Sequence, residues 1–222
     1  RDAVLAIEDS GPGIDAERAR RLFEPFIGAT GRDGSASAEA HGIGLGLGVG
    51  LGIGLAIGQS LAQRMGGRIE LLNERRQSGE PVADIRVRSS ALQGIELPEH
   101  LVPDMIDECP IFFVAAALAQ GRTRASGLAE LRVKESDRIA CMVKGLRAMG
   151  ADVVESPDSV EISGGRLQAA DIDSFEDHRI AMSFAVAAQC ADGVTRIHDC
   201  ANVATSFPGF VELAQSLGMN LE

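Results

Sequence analysis

The chain has 222 residues, enough for one large domain or two small ones, and 45% of them are apolar, enough for a packed core. Its formal net charge of −11 argues against nucleic acid or an anionic membrane as partner, so an anionic ligand needs a local basic cluster. Cys109, Cys141, Cys190 and Cys200 form no C-x-x-C pair and the four histidines are scattered, which suits reduced cytoplasmic thiols better than zinc.

The opening residues are charged and broken by Gly11-Pro12-Gly13, unlike a signal peptide, and the chain reads as cut from something longer. Val4 to Ile7 predicts a short buried strand, followed by Glu8-Asp9-Ser10-Gly11-Pro12-Gly13-Ile14. Asp15 can cap a helix over 16–22, which Phe23-Glu24-Pro25-Phe26 ends. A carboxylate followed by G-x-G after a strand suits a nucleotide: glycines let the backbone approach, and the acid accepts from an exocyclic amine. From Gly42 to Gly58 glycine alternates with apolar residues over seventeen uncharged positions. That length sits at the lower edge of a membrane span. Eight glycines oppose a helix, at roughly 1 kcal/mol each relative to Ala, so the tract is read as an expanded phosphate loop. Leu61 to Met65 continues a helix, Gly66-Gly67 stops it, and Arg68 to Leu72 predicts a strand.

In this order D-S-G-P-G-I, L-F-E-P-F, the glycine tract and L-A-Q-R-M-G-G-R-I-E-L resemble the ATP-binding domain of sensor histidine kinases, an α/β sandwich. The resemblance implies that Asp9 contacts adenine and that Gly11 and Gly13 shape its pocket. The phosphate loop falls either on Gly42 to Leu47 or on Gly50 to Leu55, the latter using Gly50, Gly52 and Gly54. ATP and Mg²⁺ are the cofactors implied. The asparagine-bearing helix that holds the magnesium belongs before Arg1 and is missing here, as is the dimerisation helix.

Asn73 to Pro81 is charged and turn-rich, which suggests a seam near residue 72. Residues 1–72 carry 7 Lys/Arg against 9 Asp/Glu, and residues 73–222 carry 14 against 23. The two parts, 1–72 and 73–222, differ in kind, and a fusion of unrelated pieces is one reading.

Beyond the seam the pattern is α/β. Strands are predicted over Val82 to Arg88, Arg122 to Ala125, Leu128 to Val133, near Val153, at Val160 to Ile162 and over Val194 to Ile197. Helices are predicted over Pro110 to Ala119, Glu135 to Met149, His178 to Cys190, and Phe207 to Leu217 with Ser206 as cap and Pro208 in its first turn. Leu131 to Arg138, L-R-V-K-E-S-D-R, places three cations and two anions at a strand end and the first turn of a helix. Helix N-termini receive anions, so Lys134 and Arg138 there fit a phosphate or carboxylate. A solvated cap with an i,i+4 salt bridge is the other reading. Two echoes favour the ligand. Val114-Ala115-Ala116 with Gly121-x-Thr123 recurs 72 positions later as Val186-Ala187-Ala188 with Gly193-x-Thr195, and Asp137-Arg138-Ile139-Ala140 is echoed by His178-Arg179-Ile180-Ala181.

G-E-P-V-A-D-I-R-V-R-S-S, V-P-D-M-I-D-E-C-P, L-R-V-K-E-S-D-R-I, D-H-R-I-A-M and D-C-A-N-V-A-T-S-F-P-G-F resemble the 5-enolpyruvylshikimate-3-phosphate synthases. The match runs from about 73 to the C-terminus and implies the last third of that fold, two of its six βαβαββ-type units. The family moves the enolpyruvyl group of phosphoenolpyruvate to shikimate 3-phosphate, releasing phosphate without metal or cofactor. By that resemblance Asp107 is the acid/base near the reacting hydroxyl, with a cap before Pro110 as its alternative. Lys134 lies between the substrates, Glu135 shuttles a proton to the methylene, and Arg138 with Arg179 binds the phosphoenolpyruvate carboxylate. His178 reads as a packing or capping neighbour. Glu130 and Thr205 stand where some members carry asparagine and lysine. A complementary domain that supplies the opposite lysine, arginine and serine contacts is missing from this sequence, so no turnover is expected from the chain alone.

Overall fold

Residues 3–6, 60–77 and 80–222 are described by a computed structural model. The helix expected over 16–22, the Phe23–Phe26 stop, the tract 42–58, and Asp9, Gly11, Gly13, Gly50, Gly52 and Gly54 lie outside these residues. A helical turn over 60–64 ends at Gly66, whose φ of 82° is open to glycine without penalty.

Three strands follow from the alternating sequence around the seam: β1 (Ala3–Ala6), β2 (Arg68–Gln77) and β3 (Glu80–Arg88), in the antiparallel order β1-β3-β2. Ala3 faces Val87 and Arg68 faces Arg88, and a bulge separates Leu72 from Arg75. At the bulge Asn73 adopts a positive φ of 51°, and its Nδ2 donates to Asp84 Oδ2 at 2.7 Å. The seam at residue 72 thus falls inside β2. Because β3 pairs with both β1 and β2, the chain divides into units Arg1–Ser90 and Ala91–Glu222.

In the second unit, residues 92–97 run parallel to β4 (Arg122–Ala125), with Gly94 N donating to Gln120 O and Leu97 N to Arg124 O. Between them lie short turns at Glu99–Leu101 (3₁₀), α1 (Val102–Met105) and Ile106–Glu108 (3₁₀), then α2 (Cys109–Leu118). A 3₁₀ turn (Ala129–Val133) leads to α3 (Arg138–Ala148), followed by β5 (Asp152–Glu155) and β6 (Val160–Ser163). The sheet order is β4-β6-β5, antiparallel. A second crossover joins β7 (Asp171–Asp173) through α4 (His178–Ala188) to the parallel β8 (Arg196–His198). The chain then forms α5 (Ala201–Ser206) and α6 (Phe210–Ser216).

Several expectations need correcting. Leu128 to Val133 is a 3₁₀ turn, with Leu131 N bonded back to Leu128 O rather than to a neighbouring strand. The helix expected from Glu135 starts at Arg138, because Asp137 caps it by accepting from Ala140 N at 3.0 Å. The single helix over Phe207 to Leu217 is two helices. Ser206 ends α5, Pro208 supplies no amide donor, and Gly209 with φ 83° begins α6 without a side-chain cap. The strand at Val194 begins at Arg196, and β7, three residues long, has no forecast in the sequence.

The core of this unit gathers Met105, Phe113, Leu128, Leu131, Ile139, Met142, Leu146, Met149, Ile162 and Phe184, each at most 1% exposed. Helices α2, α3 and α4 pack on one another. α3 and α4 approach at Gly145, where an added Cβ would sit 2.2 Å from the Phe184 ring.

Candidate functional site

Each of the three long helices starts from a loop after a parallel strand: 92–97 leads to α2, β4 to α3 and β7 to α4. The starts of α3 and α4 nevertheless converge on the turn before α2, although β4 and β7 belong to different sheets. Asp107, in the 3₁₀ turn before α2, meets the α3 start and the α4 start there. Lys134 Nζ lies 3.8 Å from Asp107 Oδ1, and Arg179 Nη2 lies 3.7 Å from Asp107 Oδ2. Arg179 Nη1 also donates to the Asp107 carbonyl at 3.0 Å. Arg138 Nη1 donates to Asp107 Oδ1 at 2.8 Å and Nη2 to Glu135 Oε2 at 2.5 Å. All five residues singled out in the second part of the sequence thus form one cluster. The cap role for Asp107 is not used: Glu108 is the N-cap of α2, with no side-chain bond.

The cluster is built around Arg138, whose side chain is 1% exposed. Its Nε donates to Asp177 Oδ2 at 2.8 Å, completing a guanidinium held by three carboxylates. Burial opposes a charged guanidinium, but the Asp177 hydrogen bonds and charge, then Glu135 and Asp107, outweigh it and raise the Arg138 pKa. Asp177 answers in kind. Burial alone would push its carboxyl up, yet the bonds and charge of Arg138 hold it below its usual range. Asp177 also accepts from Ser136 Oγ at 3.0 Å and from Arg179 N at 2.9 Å, so one carboxylate caps α4 and fixes the start of α3. The motif D-H-R-I-A carries the signal for it: an aspartate at the N-cap position before an apolar helical run.

The exposure of the cations separates their roles. Lys134 and Arg179 are 23% and 35% exposed, so each can meet a ligand. Arg138 cannot do so while Asp107 and Glu135 fill its outer edge. Lys134 is also taken, by Glu130 Oε1 at 2.5 Å. Beside the cluster lies a cleft of about 480 Å³ lined by Glu135, Phe175, Glu176, His178, Asn202, Thr205 and Ser206. An anion entering here must displace carboxylates from the cations. Among the described residues no group of three or more His, Cys, Asp and Glu is arranged to hold a metal ion, and no helix is long and apolar enough to cross a membrane.

Comparison with known proteins adds the following. The family model described as EPSP synthase (3-phosphoshikimate 1-carboxyvinyltransferase) matches residues 53–213, and that of the histidine kinase-, DNA gyrase B- and HSP90-like ATPases matches residues 1–97. A 3-phosphoshikimate 1-carboxyvinyltransferase of Xanthomonas euvesicatoria pv. vesicatoria is 56% identical over 71% of this chain and 36% of its own length. One from Methylococcus capsulatus is 54% identical over 73% of this chain and 37% of its own. The solved EPSP synthase of Acinetobacter baumannii superposes with a TM-score of 0.69 at 45% identity, over 74% of this chain and 39% of that one. This chain therefore spans little more than a third of the relatives that it matches.

Proposed function

The chain belongs to the EPSP synthase (3-phosphoshikimate 1-carboxyvinyltransferase) family, and from that premise we propose that residues 91–222 form one wall of an enolpyruvyl-transfer site. The fold then comprises one βαβαββ unit, from residue 92 to β6, and the βαβα part of a second. The substrates are phosphoenolpyruvate and shikimate 3-phosphate, in a cytoplasmic pathway to aromatic amino acids. The observation that carries this is the convergence of Lys134 and Arg179 on Asp107 at the N-termini of three helices.

The chemistry has two halves. The 5-hydroxyl oxygen of shikimate 3-phosphate bonds to C2 of phosphoenolpyruvate while C3 takes a proton, giving a tetrahedral intermediate. The C–O bond to phosphate then breaks as C3 returns the proton. Asp107 accepts the hydroxyl proton, and Lys134 with Glu135 serves C3. Arg179 holds the phosphoenolpyruvate carboxylate, joined by Arg138 once the ligand displaces Asp107 or Glu135 from its edge; guanidinium geometry suits that task. No metal or cofactor enters this scheme. Positioning two polyanions between opposed walls is worth roughly 7–11 kcal/mol of barrier, so these 222 residues alone bind without turning over.

A second reading is favoured by the ATPase match over 1–97: residues 1–72 bind ATP, with Mg²⁺, through Asp9, Gly11, Gly13 and the Gly50-Gly52-Gly54 stretch. Thermal-shift titrations separate the two. Shikimate 3-phosphate with phosphoenolpyruvate should raise Tm, and Lys134→Met or Asp107→Ala should abolish the rise. A non-hydrolysable ATP analogue alone raising Tm, with the rise lost on Asp9→Asn, would replace the transferase reading by the nucleotide one. Phosphate release by the isolated chain would overturn the no-turnover expectation.

A further inference from the structure

Arg132 bonds to the turn between β5 and β6 and to Asp137 rather than to Asp107, and its guanidinium makes five hydrogen bonds against four for Arg138. Nη1 donates to Asp137 Oδ2 at 2.9 Å and Oδ1 at 3.2 Å. Nε donates to Pro157 O at 2.7 Å, and Nη2 to Ser156 O at 2.6 Å and to Glu155 Oε2 at 3.4 Å. Asp137 in turn caps α3. The bond from 132 to 137 therefore closes a small loop, and the other bonds pin that loop to the turn between β5 and β6.

We propose that Arg132 is a positioning residue that staples residues 132–137 so that Lys134 and Glu135 are presented to the site. The consequence for function rests on the transferase reading above. Between the stapled ends, three successive side chains reach four different partners: Lys134 to Glu130 and Asp107, Glu135 to Arg138, Ser136 to Asp177. Such divergence requires a fixed backbone, because a free loop of this length samples many conformations. Only a guanidinium can serve all these acceptors at once. An ammonium is a point charge without the planar fork.

The chain's two lysines, Lys134 and Lys144, permit a test with an internal reference. Lys144 Nζ sits 4.6 Å above the Phe175 ring and is not among the partners of residues 132–137. Arg147 supplies a matched structural control: its Nε and Nη2 donate to Val153 O at 3.1 and 2.8 Å, clamping β5 to α3 outside the site. The acetylation rate of each lysine is read by mass spectrometry in the full chain, and phosphoenolpyruvate binding by equilibrium dialysis. Arg132→Gln should raise the Lys134:Lys144 ratio several-fold and weaken phosphoenolpyruvate binding about tenfold, the worth of one charge-assisted hydrogen bond. Arg147→Gln should lower Tm yet leave both readings near those of the unaltered chain. The inference is overturned if Arg132→Gln leaves the ratio unchanged, or if Arg147→Gln shifts it equally. Failure of the unaltered chain to bind phosphoenolpyruvate would sink the transferase reading instead, while the lysine ratio would still decide whether Arg132 closes the loop.

Discussion

Arg138 and Asp177 form an ion pair with side-chain exposures of 1% and 0%. Removing one partner leaves the other charged and dry, so Arg138→Met should lower stability by about 3–5 kcal/mol, read by urea unfolding at pH 7. The pH dependence has a definite sign. The carboxyl of Asp177 is depressed in the folded state, so its contribution is complete above the unfolded carboxylate range, about pH 4, and disappears as pH falls through the depressed value. The stability gap between the unaltered chain and Asp177→Asn should therefore hold from pH 7 to 5 and shrink in stronger acid. A gap that widens in acid contradicts the pair. The thiols divide by burial as well. Burial, then Glu108 and Asp107, pushes Cys109 up to about 12, and burial also raises Cys141. Iodoacetamide at pH 8 should modify the exposed Cys190 first and spare Cys109 and Cys141 in the folded chain.

At the scale of elements, the crossing of α3 and α4 depends on Gly145 having no side chain. Gly145→Ala brings a methyl into the Phe184 ring and should cost about 1–3 kcal/mol by overpacking, seen as a lower Tm. An unchanged Tm would mean that the two helices part freely. Long amphipathic helices were legible in the sequence because their apolar period is dictated by the core. Short strands with alternating apolar residues, such as Arg122–Ala125 and Val160–Ser163, were legible too, but two short elements were not. The three-residue β7 has no periodicity to read, and Ala129–Val133 resembles a strand until its partner is sought. The repeated G-x-T was legible for a backbone reason: Gly121 and Gly193 both sit at positive φ, 87° and 103°, where α2 and α4 give way to the next strand segment.

For the whole molecule, the motifs identified the family, the cations and the carboxylates Asp107 and Glu135, whereas the restraint that these and Asp177 place on the cations emerged only from the geometry. Asp177 lies 39 residues from Arg138 in sequence, and no local pattern joins them. Glu130 and Glu135 were visible as neighbours of Lys134 and Arg138, but their occupation of those donors depends on side-chain direction. The central claim is that this stretch holds a polyanion wall whose cations are held by carboxylates until a ligand arrives. The measurement closest to it is a calorimetric titration of phosphoenolpyruvate, with shikimate 3-phosphate present, into the unaltered chain and into Arg179→Gln at two salt concentrations. Affinity should fall about tenfold or more in the variant, as expected for loss of a charged hydrogen-bonding partner, and should weaken with salt in the unaltered chain. Equal affinity in the two proteins, insensitive to salt, would contradict the account.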